Sequence, residues 1–294
     1  MKSMYRFLVA VLLVSFFTSC EREIEIELPN AENLLVVEGS IETGQAPVVL
    51  VTRNRGFFKD FPTDLESFIN EFVIQDALVV VSDGAVNDTL IFTVNILAYP
   101  YVYYTSTNMV GEVGKTYSLT IVADGKTIRS HTTIPPAVSI DSTWFGLNPF
   151  DSSEDSLGVA YLQMQDPDSM GNAYRLFAKK YSEFSFNQVA GSEFNDDYVN
   201  GQKVIFFAGQ GEKPFVSSDT FIPKEYFYNL GDTVILKFCS IGAKELKFFY
   251  TMDAALNSNG NPFAAPTLVK SNIEGGLGVW CGYSPAFDTL IAIK

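Results

Sequence analysis

The feature that most restricts what this chain can become is its division into short β-branched and aromatic runs by glycine, Asp-Gly and proline. Leu34 to Glu38 (LLVVE) and Val48 to Thr52 (VVLVT) are parted by Gly39 and by the stretch from Gly44 to Pro47, as strands joined by turns are. A loop over 54–70 carries Phe57, Phe58, Phe61 and Phe68, with a short helix near Asp64 to Ile69. Ala77 to Ser82 and Thr89 to Val94 resume the strand pattern, and Asp83-Gly84 supplies turn chemistry between them. Tyr117 to Ala123 and Lys126 to Thr133 flank Asp124-Gly125, a dipeptide suited to a two-residue hairpin because both positions tolerate positive φ. Ile134-Pro135-Pro136 closes the unit, since consecutive prolines cannot continue a central strand. The expectation for residues 34–136 is an immunoglobulin-like or transthyretin-like β-sandwich.

Residues 137–294 read as a second, larger β-rich domain. Leu157 to Gln165, Ala173 to Tyr181, Val204 to Ala208, Thr233 to Phe238, Gly278 to Gly282 and Thr289 to Ile293 are its strand candidates. One segment departs from that pattern: in Ala243 to Leu256, Leu246, Phe249, Tyr250, Asp253 and Leu256 recur at helical spacing, between Gly242 and the 257–260 run. The expected fold is mainly β, with the second domain a sheet or incomplete barrel crossed by one amphipathic helix.

Ahead of the first strand, Lys2 and Arg6 precede an apolar run from Phe7 to Phe17 that ends at Thr18-Ser19-Cys20. This is the charged start and apolar core of a secretory signal, and it is shorter than the ~20 apolar residues a membrane helix needs. Residues 1–19 are therefore expected to be removed. Small residues just before a cysteine resemble the lipobox of bacterial lipoproteins, with Phe17 where that motif usually has Leu; Cys20 would then carry the acyl chains, and several such chains suffice for stable anchoring. The alternative is an ordinary signal with a coincidental cysteine. Residues 20–33 form an acidic tether, in which Glu21, Glu23, Glu25 and Glu27 resemble the export signal that sends lipoproteins of the Bacteroidetes to the outer face of the outer membrane; a merely solvated linker is the alternative.

Composition limits the partners. Loss of residues 1–19 removes Lys2 and Arg6 and no acid, so the formal charge of −14 becomes −16. Such a body repels phosphate backbones, which excludes nucleic acid as a natural partner. Cys239 and Cys281 either form one disulfide in an oxidising envelope or remain two buried thiols.

Groups for catalysis are sparse. His131 is the only histidine, so a Ser-His-Asp triad would depend on it, yet no G-x-S-x-G elbow is present; between Ser130 and Thr132 it reads as a plain strand residue. A zinc site from His131, Cys239 and Cys281 lacks a fourth ligand and the usual spacing. Asp166-Pro167-Asp168-Ser169-Met170-Gly171 starts like a calcium loop, but Met170 takes the fifth place and Phe177 the twelfth, so a tight turn is preferred. Gly275-Gly276-Leu277-Gly278 precedes a strand, not the helix a phosphate cradle needs, which suggests close backbone packing. No cofactor, metal or catalytic residue is expected. Binding is the more natural role for the aromatics. Tyr99, Tyr101 and Tyr103 alternate around Pro100 and Val102, so an extended chain puts three rings on one face, either as ligand or partner contact or as a half-buried sheet surface. Phe57, Phe58 and Phe61 are a second candidate contact, or pack on their own domain.

Leu35-Val36-Val37-Glu38-Gly39, Asp76-Ala77-Leu78-Val79 and Gly114-Lys115-Thr116-Tyr117-Ser118-Leu119 are similar to the first half of the DUF4249 lipoproteins of Bacteroidetes. Asp166-Pro167 with Gly171-Asn172-Ala173-Tyr174-Arg175, then Asn261-Pro262-Phe263 and Ser271-Asn272-Ile273-Glu274-Gly275-Gly276-Leu277-Gly278, resemble that family's second half. The resemblance implies an outer-membrane lipoprotein, with a lipid anchor in the membrane and its body facing the cell exterior, acting as a non-catalytic accessory or ligand-binding component of a SusC-like TonB-dependent uptake system. A fimbrillin-like adhesin or surface structural lipoprotein is the competing reading, although Arg53 and Arg55 are oddly placed for the protease site that polymerising fimbrillins need.

Overall fold

The computed structural model describes residues 33–54, 62, 64–150, 156–211, 213, 223–258 and 267–294. Cys20, the signal and all of the tether but its last residue, Phe57, Phe58, Phe61 and Asn261-Pro262-Phe263 lie outside the described residues. The β-prone runs become β1 (Leu35–Glu42), β2 (Val48–Arg53), β3 (Leu78–Ser82), β4 (Asn87–Thr89), β5 (Ile91–Val94), β6 (Val102–Thr105), β7 (Thr116–Ala123) and β8 (Lys126–Thr133). The later strands are β9 (Ser142–Leu147), β10 (Leu157–Gln165), β11 (Ala173–Lys180), β12 (Asn187–Asn195), β13 (Lys203–Ala208), β14 (Tyr228–Asn229), β15 (Thr233–Ile241) and β16 (Leu277–Ile291). Helices are α1 (Leu65–Phe72), α2 (Pro223–Tyr226) and α3 (Ala243–Ser258).

Among the described residues three sheets form, and the chain is mainly β, as its runs imply. An eight-stranded sheet has the order β12-β11-β15-β16-β1-β2-β6-β5; β4-β3-β7-β8 form a second sheet, and β10 with β9, β13 and β14 a third. At the middle of the large sheet β1 and β16 run parallel, from Val36 opposite Leu277 to Glu42 opposite Tyr283. Beyond Tyr283, β16 pairs with β15 instead. Pro285 falls after the last residue paired with β1, so its missing N–H costs that ladder nothing.

Alternation decides where the cores lie. On β1, Leu35, Val37 and Ile41 are buried in a core with Val79, Val81, Leu119, Ile121 and Ile128 of the second sheet. On β10, Ala160, Leu162 and Met164 meet Leu176, Leu236, Phe238 and Leu290 in another. Trp280 belongs to the first core and Leu290 to the second; they stand ten positions apart along β16, an even offset, so they point to the same face. Both smaller sheets therefore cover one face of the large sheet. Trp280 is fully buried, its Nε1 donates to the Tyr117 carbonyl at 3.0 Å, and Gly39 opposite leaves room for the indole, which would lie 2.8 Å from a Cβ there. The β7–β8 hairpin turns on Asp124 and Gly125, at φ of 49° and 71°.

The other face carries α1 and α3, whereas α2 packs through Tyr226 on β10 of the third sheet. Asp64 caps α1 by accepting from the Ser67 N–H at 2.8 Å, and Phe68 and Ile69 pack with Leu50, Val73 and Val102. Leu246, Phe248 and Phe249 of α3 pack with Ala173, Cys239, Ile241, Val279, Cys281 and Tyr283. No helix among the described residues is long and apolar enough to cross a membrane.

Two sequence expectations need restating. The break at Pro135-Pro136 does not divide the sheet, because β1, β2, β5 and β6 share it with β11, β12, β15 and β16. The runs at Gly278 and Thr289 are two halves of β16, made continuous by its change of neighbour.

Candidate functional site

The helix-bearing face of the large sheet is charged at its centre, and the charges come from alternation within otherwise apolar strands. In β1 (LVVEGSIE) the residues between the core positions are Val36, Glu38, Ser40 and Glu42. Register sets Glu42 opposite Tyr283, Arg175 opposite both Cys239 and Glu193, and Phe177 opposite Lys237. Residues opposite one another share a face, so these side chains form one layer.

Arg175 is its hub. Its Nε donates to Glu193 Oε1 at 3.0 Å, its Nη1 to the Tyr283 hydroxyl at 2.8 Å and its Nη2 to Gln188 Oε1. Gln188 Nε2 donates to Glu193 Oε1 at 2.6 Å, closing a triangle. The guanidinium lies 3.6 Å from the centroid of the Phe249 ring on α3, a contact its planar, weakly hydrated group suits. Burial opposes the charge on Arg175, but Tyr283 and Glu193 outweigh it and its pKa is raised. Burial also lifts the Glu193 carboxyl above its usual range, against the pull of Arg175.

Two further pairs extend the layer. Lys237 donates to Glu42 and is surrounded by the rings of Phe177, Phe186 and Tyr283, at 5.4, 5.5 and 5.9 Å. Tyr99 donates to Glu38 Oε2 at 2.5 Å, and its own N–H donates to Ser185 Oγ at 2.7 Å. Part of Glu38 still meets solvent. Nonetheless the crowding around it desolvates the carboxyl and pushes its pKa up, against the Tyr99 hydrogen bond and the Arg175 charge. Burial likewise raises the Tyr99 and Tyr283 hydroxyls. The groups thus satisfy one another: the layer can hold a shape and present Glu38 and Tyr99 to a ligand, but it sets no nucleophile beside a base.

The tyrosine trio is only partly one surface. Strand begins at Val102, so Tyr99 and Tyr101 lie in the bend before it; their rings meet edge to face at 6.0 Å. Tyr103, on β6, is half-buried opposite Thr93. The expected stripe of three is therefore a pair plus a strand residue.

Cys239 and Cys281 are buried free thiols. A disulfide is precluded by register: Cys239 stands opposite Pro285, further along β16 than Cys281. Burial pushes the Cys239 thiol up to about 12 and Cys281 well above its ordinary value, so both are inert thiols. His131 is exposed on β8, 3.4 Å from Lys244 Nζ, apart from the buried cysteines. Asp166 accepts from the Tyr174 hydroxyl at 2.5 Å and the Gly201 N–H at 3.1 Å, and Asp196 from the N–H groups of Gly171 and Asn172 at 2.8 and 2.9 Å; these carboxylates fix turns. Among the described residues no cluster of three or more metal-ligating side chains occurs. The glycine run lies on backbone: Gly278 has φ 106°, and a Cβ there would strike the Val37 carbonyl. Asn272, just before it, exchanges hydrogen bonds with the Trp280 main chain at 2.8 and 2.9 Å.

Sequence reading missed Glu38, Glu42, Arg175, Glu193 and Lys237 as a group. The available signal was a charge inside an apolar run, as in TVILKFCSI around Lys237; the pairing between strands was not available.

The sequence model of a family described as a domain of unknown function, DUF4249, matches residues 21–287. No curated protein matches the chain.

Proposed function

The chain belongs to the DUF4249 family, and on that premise we propose that it is an outer-membrane lipoprotein of Bacteroidetes type, anchored through Cys20 and facing the cell exterior. In this reading it serves a SusC-like TonB-dependent uptake system as a non-catalytic component that captures ligand or braces the transporter. The observation that carries the anchor is the apolar run from Phe7 to Phe17, which stops at Thr18-Ser19-Cys20 before the acidic stretch from Glu21 to Glu27. The non-catalytic role is supported by the charged layer, where Arg175 spends its donors on Glu193, Tyr283 and Gln188 and both thiols are held protonated.

Cys20→Ala tests the anchor: the variant should take up no fatty-acid analogue and should leave the membrane fraction, and an unlabelled protein that stays membrane-bound sinks the reading. Affinity purification of the native complex tests the partner. A TonB-dependent transporter should co-purify at near-stoichiometric yield, whereas fimbrial subunits in its place would favour the adhesin reading.

A further inference from the structure

The outer face of the third sheet carries a surface used by neither large core. Trp144 on β9 stands opposite Tyr161 on β10, which stands opposite Phe207 on β13. Their neighbours Ala160 and Leu162 point inward, so this row faces out. The Trp144 and Tyr161 rings are parallel within 4° and 5.3 Å apart, Phe207 follows at 6.4 Å, and Phe150 adjoins Phe207 at 6.0 Å. Gly146 lets the Tyr161 ring settle on the sheet, since a Cβ there would lie 2.5 Å from it. Trp144 is 38%, Phe207 44% and Phe150 70% exposed, while Tyr161 between them is half-buried against Val159, Tyr226 and Phe227.

Beside this row runs a second, Ser142, Gln163 and Ile205, in which the Ser142 hydroxyl and the Gln163 amide make no hydrogen bond among the described residues. Neither row contains a charge. At β13 the sheet ends, and a pocket of about 150 Å³ opens between β13 and β12, where Ile205 and Phe207 form its outer rim and Leu176, Val189, Phe194 and Phe206, which pack on the second core, line its inner side.

We propose that this face binds a neutral oligosaccharide, whose sugar rings stack on Trp144, Tyr161 and Phe207 while Ser142 and Gln163 bond its hydroxyls. Flat rings with uncharged amide and hydroxyl neighbours match a ligand that has apolar faces and a hydroxylated rim. The formal charge of −14 disfavours anionic sugars and nucleotides. Size disfavours a protein: at 150–250 Å² per aromatic side chain the exposed rings offer roughly 350 Å², less than half of the ~800 Å² per partner of a stable protein interface. The pocket is below the ~300 Å³ of a whole small-molecule site and suits one terminal group of a longer chain. This inference goes beyond the anchoring and uptake reading and does not depend on it.

Tryptophan emission reports on the site directly, because the chain has two tryptophans and Trp280 is fully buried. The purified chain is titrated with maltohexaose, cellohexaose, mannohexaose and xylohexaose, with oligogalacturonate as the anionic control. At least one neutral hexaose should shift Trp144 emission saturably, and oligogalacturonate should not. Calorimetry with that hexaose should show affinity reduced tenfold or more in Trp144→Ala and Phe207→Ala, with thermal melts checked in parallel. If either ring variant is unstable, Gln163→Ala and Ile205→Glu, which leave the rings in place, decide instead and should also weaken binding. Absence of binding by every neutral hexaose, wild-type affinity in the folded variants, or equal binding of oligogalacturonate overturns the proposal.

Discussion

On one side of β1 and β16, Val37, Ile41 and Trp280 are sealed under a second sheet; at alternate positions of the same strands, Glu38, Glu42 and Tyr283 point the other way and join a layer of ion pairs and rings. The two faces share backbone, register and neighbours, so they differ only in side chains and in what covers them. The apolar face is stabilised in proportion to the area it removes from water. The charged face is another matter, because desolvating a buried ion pair offsets much of its attraction, and such pairs are poor evidence of stability. What Arg175 supplies is a unique arrangement: its fork satisfies Glu193, Tyr283 and Gln188 only in one register.

The largest effect should come from the apolar side. Trp280→Ala removes a fully buried indole and its bond to the Tyr117 carbonyl, and should cost about 3–5 kcal/mol, read as a lower urea midpoint with little change in slope. Arg175→Ala comes next, at about 3 kcal/mol, because Glu193 is left buried without its cation. The sharper comparison is Arg175→Met combined with Glu193→Leu. If the charged face serves arrangement more than stability, the pair should recover most of the loss; a double variant as unstable as the single one would make both faces equally structural.

Glu38→Gln should change the pH profile. A carboxyl whose folded pKa lies above its unfolded value binds more protons folded than unfolded between the two values. Its contribution is therefore fully present below the unfolded pKa of ~4.3 and is lost as pH rises through the folded pKa. Relative to the parent, Glu38→Gln should gain stability from pH 4 to pH 7; a constant difference across that range would refute a raised Glu38. The smallest effect belongs outside both faces. Arg53 pairs with Asp124 at 2.7 Å while both remain well exposed, and a double-mutant cycle there should return no more than about 1 kcal/mol.

Local chemistry made much of the fold legible in the sequence. Asp124-Gly125 supplies the two positive φ values of its hairpin, β8 and β10 span the ranges their β-prone runs imply, and α3 exceeds its expected end by one half-turn or so. What failed was long-range. β12 (NQVAGSEFN) and β9 (STWFGL) lack an unbroken apolar alternation and are strands because they lie beside β11 and β10. The division at 136 was drawn from prolines, which end a strand locally and say nothing of which sheet the next one joins. The charged layer was hidden for the same reason, since Glu38 and Arg175 become neighbours only through the strands between them.

The parallel pairing of β1 with β16 has a consequence for how the molecule is made. Thr43 and Ser284, 241 residues apart in sequence, meet at the end of that ladder. A chain synthesised from its N-terminus completes β1 and β2 early, then leaves one side of β1 with an open strand edge until β16 is delivered. Contacts of such separation slow folding and prolong the exposure of sticky intermediates. A premature stop before Leu277 would delete the middle of the sheet, leaving β15 and β1 with no strand between them.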